Sequence, residues 1–192
     1  GIAKYDNPEE LSVSDRNNIG YQYTDCPLYW ISVIYLNFAE AKAEMGSLTQ
    51  DDLNNSINKL QARAGLPAMT TTPDADPANN MGVSNLIWEI RRCRRCELIM
   101  DNWYRYWDLI RWHQLDKLDS TKYPNTMLGA NVSNVPDCEE ATKNGYIDAS
   151  DAQIRTYEAK HYFYPIPTTQ LTLNKNMKQN PCLLYTSDAA DD

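Results

Sequence analysis

The sequence predicts a mainly α fold, with antiparallel helical hairpins, long irregular loops and an extended C-terminal strap. Two stretches, about 27–65 and 84–118, carry apolar residues at spacings of three and four, the repeat of a helix that buries one face. Inside each stretch the repeat breaks for only a few residues, and helices joined by so short a turn must lie antiparallel. Near residue 161 the pattern changes: YFYPIPTTQLTLNKNMKQNP, Tyr162 to Pro181, has neither a helical nor a strand period.

Residues 1–24 are polar and turn-rich and read as a loop or an incoming linker. Asp25-Cys26-Pro27 then opens a helix, since Asp can cap and Pro is tolerated in the first turn. Ile31, Ile34, Tyr35, Phe38, Ala41 and Met45 form its apolar stripe, and Gly46 is its stop signal. Thr49-x-x-Asp52 resembles a capping box, and Leu53, Ile57, Leu60 and Ala64 continue as a second helix ended by Gly65-Leu66-Pro67. Residues 68–83 are a loop. Its Asp74, Asp76 and Asn79 match no calcium-loop spacing, which favours a solvated loop.

Ser84 caps a third helix, Asn85 to about Met100, with Leu86, Ile87, Ile90 and Leu98 apolar. Asp101-Asn102 interrupts it. A fourth helix follows from about Tyr104 to Leu118, carrying Trp107, Ile110, Trp112, Leu115 and Leu118. From 119 to 160 no repeat is long enough to assign, and loops of that length are often functional. In the strap, 161–181, prolines hold the chain extended, Thr168 or Thr169 can cap a short turn, and asparagines can satisfy backbone groups in place of a ladder.

Composition excludes several classes. The chain has 192 residues, 42% hydrophobic and 23% charged, ordinary for a folded domain with a sizeable core. Its net charge of −8 argues against tracking phosphates, hence against nucleic acid, and against an anionic membrane surface. The most apolar run, Cys26 to Ala39, is broken by Ser32 and Asn37 and falls short of the roughly 20 residues a bilayer requires. Aromatics are skewed to 13 Tyr and 5 Trp against 2 Phe, residues suited to half-wet faces. Five cysteines, an odd number, do not read as a disulfide framework. Cys93-x-x-Cys96 lacks the further ligands of a zinc site, and its flanking arginines could lower a thiolate pKa for redox work.

The densest stretch is WEIRRCRRCELIMDNWYRYWDLIRW, Trp88 to Trp112. One reading makes Glu97 and Asp108 a glycosidase-like carboxylate pair. The favoured reading makes Arg91, Glu97, Arg105, Asp108 and Arg111 structural ion pairs locking helices together, with Glu40 and Glu44 of the first helix treated likewise. No nucleophile elbow, HExxH, P-loop or Rossmann glycine pattern occurs. His113 and His161 stand far apart, and His113 reads as covering a helix surface. The sequence calls for no catalytic residue, metal or cofactor.

Four segments, in order, resemble the SusD/RagB family: PLYWISVIYLNFAEAKAEMG (27–46), INKLQARAGLP (57–67), IRRCRRCELIMDNWYRYWDLIRW (90–112) and YPIPTTQLTLNKNMKQNP (164–181). The resemblance is to the C-terminal part of such proteins, across residues 1–181. It implies a SusD-like body of tetratricopeptide-like helix pairs, closed by the strap. It also implies an N-terminal half that carries the signal peptide and lipid anchor. The localisation implied is the outward face of the outer membrane. The implied function is capture of a glycan or other nutrient for a SusC-like TonB-dependent transporter. Two departures stand out. Trp30 occupies a position where many members carry Arg, and Asn180-Pro181 is followed by Cys182-Leu183 where the family usually has Gly-Trp. Residues 182–192 resemble a translated adapter read-through and read as a non-native tail.

The first functional expectation is therefore a non-catalytic binding subunit for an oligo- or polysaccharide. Candidate contacts are Trp103 and Tyr104 at the break between the third and fourth helices, and Tyr21 and Tyr23 before the first. The family's ligand site is also built partly from the N-terminal half. The second expectation is a helical-repeat protein-interaction module without direct ligand binding. Helix faces meant for the N-terminal half would be left exposed, and stability marginal.

Overall fold

The computed structural model describes residues 12–18, 28–101, 103–135, 142–148 and 153–180. The fold is mainly α, as expected, and divides into two compact units, residues 1–99 and 100–192.

The first unit begins with α1 (Val13–Asn17), where the Ser12 hydroxyl accepts from the Asp15 N–H at 3.1 Å. Next comes α2 (Ile31–Glu44). The expected start at Asp25-Cys26-Pro27 lies outside the described residues, and α2 opens only after the extended Trp30, with no side-chain cap. Its buried face is also not the expected one. Ser32, Val33, Leu36, Ala39 and Glu40 point inward, while Ile31, Ile34, Phe38 and Met45 are exposed. The helix is apolar round most of its circumference, so spacing alone could not choose a face. The choice falls to Glu40, which must meet Arg91.

The Thr49–Asp52 capping box forms in full: the Asp52 N–H donates to Thr49 Oγ1 at 3.1 Å, and the Thr49 N–H donates to Asp52 Oδ2 at 2.9 Å. The second helix is nevertheless split into α3 (Gln50–Asn54) and α4 (Ile57–Arg63). At the break, Asn55 Nδ2 donates to the Asp51 carbonyl at 2.9 Å and the Ser56 hydroxyl to the Asp52 carbonyl at 2.6 Å, side chains competing for the helix's own acceptors. The buried Asn58 carboxamide then clamps the following loop. It accepts from the Met69 N–H at 2.7 Å and donates to the Met69 carbonyl at 3.1 Å. Finally α5 (Asn85–Glu97), capped by Ser84, packs against α2 and α4. Leu36, Leu53, Ile57 and Ile90 are fully buried between these helices. Such burial contributes about 1.5–3 kcal/mol per side chain.

The second unit holds α6 (Tyr104–Arg111), shorter than expected. His113 ends it by taking a left-handed φ of 53°. The His113 N–H then donates to the Ile110 carbonyl and the Gln114 N–H to the Leu109 carbonyl, at 3.0 and 2.7 Å. This is the same paired-bond ending that Gly46 and Gly65 give α2 and α4. His113 is thus the terminator of α6, not a cover for its surface. Leu115–Leu118 continues only as a 3-10 turn.

The region 119–160 is not wholly irregular. It contains β1 (Leu128–Asn131), β2 (Thr142–Lys143) and β3 (Tyr146–Asp148), antiparallel in the order β1-β3-β2. Asn144-Gly145, at φ 54° and 78°, makes the two-residue turn between β2 and β3. In the strap, α7 (Thr168–Leu173) starts after Pro167 with no side-chain cap. Thr168 is its first residue, so neither threonine caps it. The strap's amide side chains do satisfy backbone groups: Gln179 both accepts from the Ile166 N–H and donates to its carbonyl, each at 2.9 Å, and Asn180 Nδ2 donates to the Tyr164 carbonyl at 2.7 Å.

Candidate ligand-binding surface

The charged residues singled out in the sequence are occupied with structure. In the first unit, Arg91 Nε lies 3.7 Å from Glu40 Oε1 and its NH2 nitrogen 3.2 Å from Glu44 Oε1, tying α5 to α2. Arg94 donates to Asn37 Oδ1 at 2.8 Å across the same seam. Glu97 is engaged by Arg63 of α4 at 2.5 Å. In the second unit, Arg111 Nε pairs with the buried Asp108 at 2.9 Å along α6, on which Arg105 is half-buried. The glycosidase reading required carboxylates free of arginine partners, and both Glu97 and Asp108 have one.

Burial acts on one cysteine of the CxxC motif, Cys93, while Cys96 is exposed. Desolvation, followed by the charge of Glu97, pushes the Cys93 thiol up to about 12, which outweighs the nearby Arg92 and leaves a poor thiolate. Asp76 of the loop accepts from the Trp88 indole N–H at 3.0 Å and from the Ala78 N–H at 2.8 Å. Those bonds, the indole's first, lower its pKa and pin the loop to α5. Among the described residues no three His, Cys, Asp or Glu side chains gather to hold a metal ion.

Asp119, which the sequence did not single out, is the polar hub of the second unit. Its carboxylate accepts from the Thr121 hydroxyl at 2.5 Å, the Thr121 N–H at 2.9 Å and the Tyr157 N–H at 3.1 Å. Ser120 adds a bond from its N–H to the Arg155 carbonyl at 2.8 Å. Together they fasten residues 155–157 beside the end of the Leu115–Leu118 turn. The Thr121 hydroxyl, then the amides of Tyr157 and Thr121, hold Asp119 down to about 2. A signal was present: Asp-Ser-Thr is a sequence whose side chains bond backbone N–H groups two residues on.

The aromatic candidates separate. Tyr21 and Tyr23 lie outside the described residues. Tyr104 is half-buried, while Trp103 is 81% exposed. Sequence reasoning missed Trp107, taken there as part of the fourth helix's apolar face, yet 51% exposed. Trp103 stands at the start of α6 with a left-handed φ of 58°, a conformation that costs a bulky residue about 1–2 kcal/mol. The Trp107 N–H donates to the Trp103 carbonyl at 3.2 Å, so the two tryptophans stand one turn apart. Tyr106 packs edge-on against Trp107 with ring centroids 5.5 Å apart, and its phenol is pushed up by a hydrogen bond with Tyr164 of the strap. Of the five tryptophans, Trp30 and Trp88 are half-buried and Trp112 is buried, so the two exposed ones share this turn. Their i, i+4 spacing was the signal available in the sequence.

The described helices are thus tied by ion pairs, and the exposed tryptophans Trp103 and Trp107 stand on one turn at the start of α6. The family model described as the SusD family matches residues 2–182, and the chain belongs to that family. Its members are nutrient- and glycan-binding components of the outer membrane, a binding family and not a catalytic one. No curated protein and no solved structure matches the chain. Among the described residues, no helix is long and apolar enough to cross a membrane.

Proposed function

We propose that this chain is the ligand-capturing part of an outer-membrane uptake system, delivering a glycan to a SusC-like TonB-dependent transporter. The observation that carries the reading is the family match across residues 2–182. The occupied carboxylates support binding without turnover, since Glu97 and Asp108 are each engaged by an arginine. An outward-facing position on a lipid anchor, supplied by an N-terminal half, belongs to the same proposal. Trp103 is its leading contact, with Tyr104 behind it and Tyr21 and Tyr23 as further candidates. The test is co-purification of the natural protein with a TonB-dependent transporter, together with retention on immobilised polysaccharide. Failure of both sinks the reading, and turnover of a sugar lost on Asp108→Asn would instead make the chain an enzyme.

A second reading is the helical interaction module. It is favoured by one observation, the exposed apolar stripe Ile31, Ile34, Phe38 and Met45 on α2. Loss of transporter capture on Ile34→Glu, with polysaccharide binding intact, would assign that stripe to protein docking.

A further inference from the structure

We propose that Cys93 and Cys96 of α5 form a two-thiolate site for one soft, monovalent metal ion, cuprous copper in the first place. The site belongs to the first unit alone, so it stands or falls independently of nutrient capture. Placement, spacing and ligand number carry it.

Both cysteines are free and lie three residues apart on one helix, hence on one face. Cys96 is exposed and Cys93 is half-buried. An ion therefore has an entry path at the outer sulfur and a partly dry seat at the inner one. The two thiols lie within electrostatic reach of each other and of the Arg92 guanidinium.

Spacing decides between an ion and a disulfide. Residues three apart on a helix hold their Cβ atoms about 5–6 Å apart. A disulfide needs about 3.5–4.5 Å, so α5 would have to distort to close one. Two metal–thiolate bonds of roughly 2.3 Å in line span about 4.6 Å, close to the ~4.5 Å that three residues rise along the axis. The undistorted helix suits a bridging ion better than a sulfur–sulfur bond.

Ligand number decides which ion. Among the described residues no third His, Cys, Asp or Glu joins the pair. Structural zinc is nearly always four-coordinate and calcium takes oxygen ligands, whereas soft thiolates select cuprous copper, which accepts two of them in a line. Two thiolates around one monovalent cation leave one negative charge, which Arg92, held in place by Glu89, offsets. Binding releases both thiol protons to solvent and exchanges no electron, so no oxidant is required. Cys93 is a poor thiolate when free, but a coordinating thiol is deprotonated by the ion itself.

The experiment is anaerobic titration of the full chain, carrying Cys26→Ser, Cys138→Ser and Cys182→Ser, with cuprous ion in competition with bathocuproine disulfonate. One ion per chain should be withheld from the chelator, with a thiolate-to-copper charge-transfer band in the near ultraviolet. Silver ion should bind in the same way, and an equal concentration of zinc should not displace copper. Cys93→Ser and Cys96→Ser should each abolish retention. Cys96→Ser/Arg95→Cys keeps two thiols but sets them two residues apart, on different faces, and should not restore it. Far-UV circular dichroism should match the parent in every variant. Copper retained by Cys93→Ser/Cys96→Ser or by the spacing variant overturns the site, as does a parent that yields all its copper to the chelator. Equal affinity for zinc overturns it too, by showing a four-ligand site. A parent that takes up no copper but closes a Cys93–Cys96 disulfide with oxidised glutathione, seen as the loss of two hydrogens in intact mass, has a redox pair instead.

Discussion

Residues 1–99 bury Leu36, Leu53, Ile57 and Ile90 completely, whereas among the described residues of 100–192 only Leu109 is buried to that degree among the larger apolar side chains. The first unit is held by a dry core with ion pairs crossing its helix seams. The second is held by side chains bonded to backbone: Asp119 on 121 and 157, Tyr162 on the Leu115 N–H at 3.1 Å, Gln179 on 166 and Asn180 on 164. Net contributions differ accordingly, a buried aliphatic side chain giving about 1.5–3 kcal/mol and a hydrogen bond about 0.5–1.5 kcal/mol. Stability should therefore concentrate in the first unit, leaving the second with the aromatic face to present.

Removing core volume breaks that contrast most directly. Ile90→Ala leaves a cavity between α5 and α2 and should cost about 2–5 kcal/mol, read by urea unfolding. In the second unit Leu173→Ala, at an exposed position on α7, should change stability by less than about 0.5 kcal/mol. Equal losses from the two would erase the distinction.

The ion pairs give the next largest effect. Arg91→Met strands the buried Glu40 and should cost about 3 kcal/mol, while the double variant Glu40→Met/Arg91→Met should recover most of it. A double variant no better than the single would show that the seam needs the charges themselves. Glu44 stays exposed and adds little either way.

What the sequence disclosed follows the same division. The Thr49–Asp52 box, the Ser84 cap and the two C-terminal glycines are local signals that the structure uses as written, whereas the periodicity read as one second helix is split into α3 and α4. The buried face of α2 was not legible: Ile31, Ile34 and Phe38 make as good a stripe as Val33, Leu36 and Ala39, and only the long-range pairing of Glu40 with Arg91 decides. In the second unit the determinants are single polar residues acting at a distance. Asp119 reaches residue 157 and Gln179 reaches 166, and no period marks either. The Lys-Asn-Gly-Tyr hairpin, by contrast, was readable and went unread. Trp103 was found as an aromatic at a helix break. Trp107 was hidden because exposure on a helix of mixed apolar residues depends on which side the core lies.

Acid should loosen the second unit locally. Asp119 is held down to about 2 from an ordinary 3.8, so its folded pKa is depressed. A depressed carboxylate contributes stability above its ordinary pKa and loses it as pH falls through the folded value, here between about 4 and 2. Amide hydrogen exchange at Tyr157 and Thr121 should lose protection across that window, and in Asp119→Asn should be weak already at pH 6. Leu36 and Ile90 amides should not respond to the substitution. Unchanged Tyr157 protection in Asp119→Asn would mean that some other bond holds residues 155–157.

The smallest effect concerns helix ends, where the two units solve one problem with different residues. At Gly46 a Cβ meets nothing within 4 Å, so Gly46→Ala is penalised by its φ of 67° alone, about 1 kcal/mol. His113 already bears that penalty at φ 53°, so His113→Gly should relieve it. The relief is partial, because the His113 ring packs on Tyr162 with centroids 5.1 Å apart. Opposite signs are therefore expected in urea unfolding: a loss of about 1 kcal/mol for Gly46→Ala and a gain below about 1 kcal/mol for His113→Gly. A loss at both positions would show that the ring contact outweighs the backbone strain. His113 would then hold Tyr162, and through it the Leu115 N–H, more than it serves to end α6.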